Sequence, residues 1–160
     1  MSQLEGTPRI SPFLWFDGQA AEAAEFYISI FPNSRRITEL RNPGGGEPGP
    51  KGEILTVEFE LDGQRFIALN GGPNFKFTEA VSFLVSCAGQ DEIDYYWSRL
   101  TAGGGSEGVC GWLKDKYGLS WQVAPAGFAK LLKHPAAMRA MMGMKKFDLA
   151  ALQAAAGQQE

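Results

Sequence analysis

Gly108-Val109-Cys110-Gly111-Trp112-Leu113-Lys114-Asp115-Lys116-Tyr117-Gly118-Leu119-Ser120-Trp121-Gln122-Val123-Ala124-Pro125 is the stretch whose reading decides the fold. It predicts two short strands joined by a tight Asp-Lys-Tyr-Gly turn, with Gly118 free to take a positive φ and Pro125 ending the second strand. Side chains alternate along a strand, so Leu119, Trp121 and Val123 share one face and Ser120, Gln122 and Ala124 the other. The apolar face calls for a layer of helices. The small polar face, centred on Gln122, is left to meet solvent, a metal or a ligand cavity.

Working outward, the totals bound the answer. A chain of 160 residues with 44% hydrophobic content is the size of one domain that can bury a core without disulfides or metal. A net charge of -3 lacks the basic excess of a nucleic-acid binder, and only Arg35-Arg36 and Lys145-Lys146 cluster positive charge. No apolar run approaches the ~20 residues needed to cross a bilayer, and Glu5 and Arg9 among polar residues are not the core of a signal peptide. A cytoplasmic protein with no nucleic-acid or membrane partner is expected. Cys87 and Cys110 fit no metal or redox spacing and read as reduced thiols.

Before the hairpin, the pattern runs strand (Ile10 to Phe16), helix (Gln19 to Phe31, with Ala20, Ala23, Ala24, Phe26, Tyr27 and Phe31 near helical spacing), then strands at Ser34 to Arg41, Glu53 to Leu61 and Arg65 to Asn70. Asn42 to Lys51, rich in Pro and Gly, reads as a mobile loop with too little apolar content to pack. The order then repeats: strand from Ala80 to Cys87, helix from Asp91 to Leu100 with Ile93, Tyr96, Trp97 and Leu100 on one face, a weak strand at Ser106-Glu107, and the hairpin. The expected domain spans 1–127, as two repeats at about 9–71 and 78–126. The tail, 128–160, carries Met138, Met141, Met142 and Met144, and Asp148 as N-cap of a last Ala-rich helix. It is expected to dock on the core or on a dimer partner.

Leu14-Trp15-Phe16-Asp17-Gly18, Glu25-Phe26-Tyr27, Leu69-Asn70-Gly71-Gly72-Pro73, Phe75-Lys76-Phe77, Ser82-Phe83, the hairpin itself and Met141-Met142-Gly143-Met144-Lys145-Lys146 with Asp148-Leu149-Ala150-Ala151-Leu152 resemble one branch of the vicinal oxygen chelate superfamily, the PhnB-like or 3-demethylubiquinone 3-methyltransferase-like branch. The resemblance covers about 10–152 and implies an α+β fold: tandem βαβββ units forming a curved mixed sheet around a cavity, the glyoxalase/bleomycin resistance/dioxygenase-like fold, with a C-terminal helical tail. In metal-dependent members each half supplies His, Gln or Glu ligands from its first and last strands. The matching places here hold Ser11 to Phe13, Ala68, Ser82 and Gln122, of which Gln122 alone has a ligand's chemistry. A lone neutral amide does not hold a transition metal, and the sole histidine, His134, lies in the tail. No metal and no cofactor are expected.

Gly44, Gly46 and Gly49 satisfy the spacing G-x-G-x-x-G, but prolines interrupt it and a strand follows, so it reads as a chance loop and no nucleotide or S-adenosylmethionine site is expected. Glu58 and Glu60 share a strand face and are more simply a solvated face than an acid-base pair. Cys110 has no histidine placed to activate it, so an inert thiol is expected. Within the implied cavity the candidate ligand-binding residues are Trp15, Asn70, Phe75, Ser82, Trp112 and Gln122, a few polar groups among aromatics. The expected function is metal-free binding of a small aromatic or apolar molecule by a homodimer. The competing expectation is a lyase, isomerase or similar enzyme with a replaced ligand set.

Overall fold

In the order that the hydrophobic pattern predicts, β1 (Phe13–Phe16), α1 (Ala20–Ile30), β2 (Arg35–Arg41), β3 (Ile54–Leu61) and β4 (Gln64–Asn70) are followed by β5 (Ser82–Cys87), α2 (Gln90–Thr101), β6 (Ser106–Glu107), β7 (Trp112–Lys114) and β8 (Ser120–Pro125). The tail adds α3 (Phe128–Leu131), α4 (Pro135–Met142) and α5 (Leu149–Ala156). The computed structural model describes residues 6–46 and 48–157; Glu5, one position of the 42–51 loop and the last three positions of the tail lie outside the described residues. The class is α+β, with two four-stranded mixed sheets ordered β1-β4-β3-β2 and β5-β8-β7-β6. Each sheet pairs its first and last strands in parallel and its other strands antiparallel. The chain divides into two compact units, the first ending at Lys76 and the second, tail included, beginning at Phe77.

In the first unit, alternation in β3 buries Val57, Phe59 and Leu61 on one face, where they meet Leu14, Phe16, Phe66 and Ala68. Over that face lies α1, which buries Ala20, Ala23, Ala24, Tyr27 and Ile30, an i, i+3, i+4, i+7 stripe with alanines that allow close approach to the sheet. Tyr27 stacks on Phe59 at 6.3 Å and Phe59 on Phe66 at 5.5 Å. The sequence pattern places Phe31 in this stripe; instead Phe31 is the extended C-cap, because a residue before proline is pushed out of helical backbone, and Ile30 fills the core. Asp62 and Gly63, both at positive φ, make the two-residue turn between β3 and β4.

The loop after β2 departs from expectation at its first residue. Asn42 is only 8% exposed and acts as a staple. Its backbone bonds Glu53 and Gly52, its Nδ2 donates to Gly49 O and its Oδ1 accepts from Gly44 N. An asparagine amide can replace backbone partners in a turn, which is how a segment so poor in apolar residues packs one of them.

The second unit builds its hairpin around a buried carboxylate. Asp115 Oδ1 accepts from the N–H groups of Tyr117 and Leu119, and Oδ2 accepts from Trp121 Nε1 at 2.9 Å. Gly118, at φ 85°, closes the turn onto Asp115 O. Behind the sheet α2 buries Ile93, Trp97 and Leu100, while Tyr96 stays half-buried at the edge of that stripe. The tail returns to this unit: Cys110 N donates to Met144 O, Gly111 N to Lys145 O, and Phe147 is buried. Gln90 holds it at two points, donating to Phe147 O and accepting from Leu149 N. Asp148 caps α5 by accepting from Ala151 N. Met138 and Met142 remain exposed on α4.

Candidate functional site

Strand register sorts the six candidate residues. In the second sheet Ser82 pairs with Ser120 and Ser120 with Lys114, while Leu84 pairs with Gln122 and Gln122 with Trp112. Directly opposed residues project to the same side, so Ser82, Trp112 and Gln122 share one face, opposite the core face of Trp121 and Val123. Gln122 Nε2 donates to Ser82 Oγ at 3.0 Å, which fixes both side chains.

A cleft of about 560 Å³ opens on this side of the second unit, lined by Trp112, Leu113, Val109, Cys110, Lys114, Ser120, Glu79 and residues 106–108. Its wall is largely apolar. Lys114 is ion-paired with Glu79, and its hydrogen bond is the main cause holding the Glu79 carboxyl below the usual carboxylate range. Ser120 is wholly buried, and among the described residues its Oγ is the buried side-chain polar atom with no hydrogen-bond partner. Since Ser120 stands on the face of Lys114 and Ser82, that hydroxyl points to the side on which the cleft opens. A buried hydroxyl without a partner costs free energy, so Ser120 is a group on this sheet face with hydrogen-bonding capacity to spare.

The first unit treats its candidates differently. Trp15 is half-buried, donates through Nε1 to Gly72 O at 2.8 Å and meets Phe75 edge to face at 4.9 Å. A Cβ on Gly71 would run into the Trp15 ring, so only glycine lets the indole rest there. Phe75 is 66% exposed. Asn70, expected beside these aromatics, pairs with Phe16 and therefore sits on the helix face of its sheet, one alternation away from Trp15. Its Oδ1 accepts from Ala20 N at 2.8 Å and its Nδ2 donates to Ile54 O at 3.0 Å, so the amide is committed to capping α1 and joining β3. A second cavity of about 480 Å³ touches Asn70, Arg41 and Asn42, but both asparagine amides are bonded and Arg41 is held by Glu39 and Gly52 O.

Glu60 pairs with Arg35 at 3.1 Å, so the Glu58 and Glu60 face carries a cross-strand ion pair. Exposed His134 precedes α4 as its N-cap residue. The G-x-G-x-x-G spacing falls between β2 and β3, with no helix start after it. A divalent metal of the kind that the resemblance implies does not fit the donors present. Ala68 is on the buried helix face, Ser82 and Gln122 are neutral groups bonded to one another, and among the described residues no three His, Cys, Asp or Glu side chains come together.

The two thiols differ. Burial, with the Glu92 charge adding to it, pushes Cys87 up to about 12, so it stays a neutral core thiol. Cys110 is half-buried on the cleft, at φ 56°, a left-handed conformation unusual for a non-glycine residue. In the sequence Cys110 has no histidine placed to mark it, and Ser120 shows only as a neighbour of Gln122 on the polar face. The signal for Ser120 was its place beside Gln122 in the alternation; its burial depends on pairing with β5 and β7, which one strand cannot show.

A Bacillus cereus PhnB protein, provisionally named as a 3-demethylubiquinone-9 3-methyltransferase, is 36% identical to this chain, with a TM-score of 0.67 over 74% of this chain and 100% of the other. A Pseudomonas aeruginosa protein of known crystal structure is 20% identical over 74% of this chain and 98% of its own, with a TM-score of 0.62. The fosfomycin resistance protein FosX of Listeria monocytogenes is 15% identical over 78% and 97%, with a TM-score of 0.52, a likeness of fold alone. No curated protein matches the sequence. The family model described as 3-demethylubiquinone-9 3-methyltransferase matches residues 8–124, and with the relative from B. cereus it shows that the chain belongs to that family, the PhnB-like branch of the vicinal oxygen chelate superfamily.

Proposed function

We propose that this protein binds a small, mostly apolar molecule carrying one hydrogen-bonding oxygen, in the cleft of the second unit and without a metal. The observation that carries the reading is the unpartnered Ser120 hydroxyl beside an apolar wall that includes Trp112 and Val109. Ligand pockets commonly combine such a wall with a few placed polar groups, and about 560 Å³ suits a molecule of one or two rings. The family description names methyl transfer, yet the glycine-rich spacing leads into β3 rather than a helix, so that loop is not the familiar cradle of a nucleotide-like methyl donor. The reading extends to a cytoplasmic homodimer. Two free thiols accord with a reducing compartment, and exposed Met138 and Met142 with an adaptable contact between copies.

The test is calorimetric titration of the full chain with p-cresol, which offers a ring and one hydroxyl. Saturable binding is expected, weakened about tenfold in Ser120→Ala, the worth of one hydrogen bond, and lost in Trp112→Ala. Equal affinity in all three proteins would remove the cleft from the reading. Light scattering at micromolar concentration tests the dimer, and the mass of a single chain refutes it.

A further inference from the structure

Asn70 is followed by Gly71, and the first unit needs both residues. The Asn70 amide ties the end of β4 to α1 through Ala20 N and to β3 through Ile54 O. Any side chain at position 71 would displace the Trp15 indole. The pair is also the most labile of the four asparagine sites in the chain. The backbone nitrogen after an asparagine can attack its side-chain amide carbon, and glycine, with no Cβ, hinders that approach least. Asn33 is followed by Ser34, Asn74 by the bulky Phe75, and Asn42 by Pro43, which has no N–H to react. In the folded chain the groups that this attack requires are all engaged. Gly71 is buried and its N–H donates to Phe16 O at 2.9 Å. Asn70 uses both ends of its amide, so its carbon turns toward the Gly71 nitrogen only if the bonds to α1 and β3 break.

We propose that Asn70-Gly71 is a self-modification site, which the folded first unit holds shut and which retires chains that stay unfolded. Once β4 lets go of α1, the Gly71 nitrogen gives up its proton and forms a bond to Asn70 Cγ. The Cγ–Nδ2 bond breaks, and Nδ2 takes up one proton and leaves as ammonia. Water then opens the resulting cyclic imide at either of its two carbonyls, giving aspartate or isoaspartate at position 70. Overall, water replaces ammonia, and nothing is oxidised or reduced. The aspartate product keeps an acceptor for Ala20 N but has no donor for Ile54 O. The isoaspartate product routes the main chain through the side-chain carbon and lengthens it by one methylene. That puts the pairing of residue 70 with Phe16 out of step with the bond from Gly71 N to Phe16 O. The chemistry that follows unfolding therefore removes the cap that refolding needs.

The experiment holds the full chain in mildly alkaline buffer, folded and, in parallel, unfolded in guanidinium, and follows both by peptide maps that separate aspartate from isoaspartate. In the unfolded chain Asn70 is expected to convert ahead of Asn33, Asn42 and Asn74. In the folded chain its conversion should be slower by about tenfold or more, because reaction waits on local opening, while exposed Asn33 should slow much less. Equal rates at Asn70 in the two states would overturn the protection. Partly converted chains are then returned to native buffer, and the refolded fraction is separated by size. Isoaspartate at position 70 should be depleted about tenfold in that fraction relative to the chains that fail to refold. An equal share in both would overturn the retirement of unfolded chains, and this partition needs no variant. Asn70→Ser has no amide to lose and keeps a capping oxygen, so its refolding yield should not fall with time held unfolded. A yield that falls as fast as that of the unaltered chain would assign the loss to another site.

Discussion

Both units close the same pairing, a first strand parallel to a last strand, immediately before a helix, yet they hold the start of that helix in opposite ways. The last pair in the first sheet is Phe16 with Asn70, and in the second it is Cys87 with Pro125. Asn70 reaches from the sheet to cap Ala20 N of α1. A proline in that place has no side-chain acceptor, and α2 supplies its own: Glu92, in its first turn, reaches back to Ala88 N at 2.7 Å. The tail then braces the same helix start, since Gln90, the first residue of α2, bonds both Phe147 and Leu149. One topology therefore tolerates two solutions. Where a strand end is committed to holding a helix, it is lost as a ligand site, and where the helix holds itself, the sheet keeps polar groups to offer.

The sharpest way to break this comparison is to displace the tail. Gly111 lies at φ 80°, and a Cβ there would come within 2.8 Å of the Phe147 ring and of Val123 O. Gly111→Ala is expected to cost about 3 kcal/mol, from clash together with strained backbone, and to raise proteolysis of the tail. Chemical denaturation checks the first expectation and limited digestion the second; an unchanged midpoint would mean that the second unit does not lean on its tail. Asn70→Ala is next, at about 2 kcal/mol, since it removes the cap and leaves Ile54 O without its donor. Asn70→Asp keeps an acceptor for Ala20 N and should lose about half as much. If the two variants are equally destabilised, the cap is not what Asn70 contributes.

Much of this was legible in the sequence, and the reasons are local. Alternation in Leu55 to Leu61 and the Asp115 to Gly118 turn each contain their own cause within a few residues, so strands, order and the duplicated unit follow from pattern. Asn70 was not legible in the same way. It ends a strand shortly before Phe75 in the chain, but a one-residue alternation puts it on the helix face, and its partners Ala20 and Ile54 are far away in sequence. Ser120 reads as polar-facing, and only the neighbouring strands decide that it is buried. Register and pairing carry the site, and neither is written in one segment.

Cys87 sharpens the contrast from the second unit's side, since it occupies the place that Phe16 holds in the first. Its thiol is raised from 9.0 to about 12 in the folded protein, by burial first and by Glu92 second. A raised value means that the folded state keeps its proton while the unfolded chain loses it. The associated stability is therefore whole below pH 9 and falls as pH rises from 9 toward about 12. Between pH 8 and pH 10 the loss should be about 1 kcal/mol, and Cys87→Ala should flatten that part of the curve by the same amount. Denaturation midpoints of the two proteins across this range decide it; parallel curves would assign the alkaline loss to other groups.

The smallest effect separates the units most directly. Asn70 and Ser120 are both small polar residues on the last strand of a sheet, and each pairs with a residue of its parallel neighbour, Phe16 and Ser82. Removing the Asn70 amide breaks two bonds that the fold uses; removing the Ser120 hydroxyl breaks none among the described residues. Ser120→Ala should thus stabilise the free protein by about 0.5 kcal/mol, because the desolvation of an unpartnered hydroxyl is relieved and only a small void is left. With p-cresol in excess the sign should reverse, since the unaltered protein gains the larger binding free energy. Thermal unfolding of both proteins with and without p-cresol reads the two signs together. A variant less stable than its parent in the absence of ligand would show that the hydroxyl serves the fold after all, and that the second unit holds its last strand as the first one does.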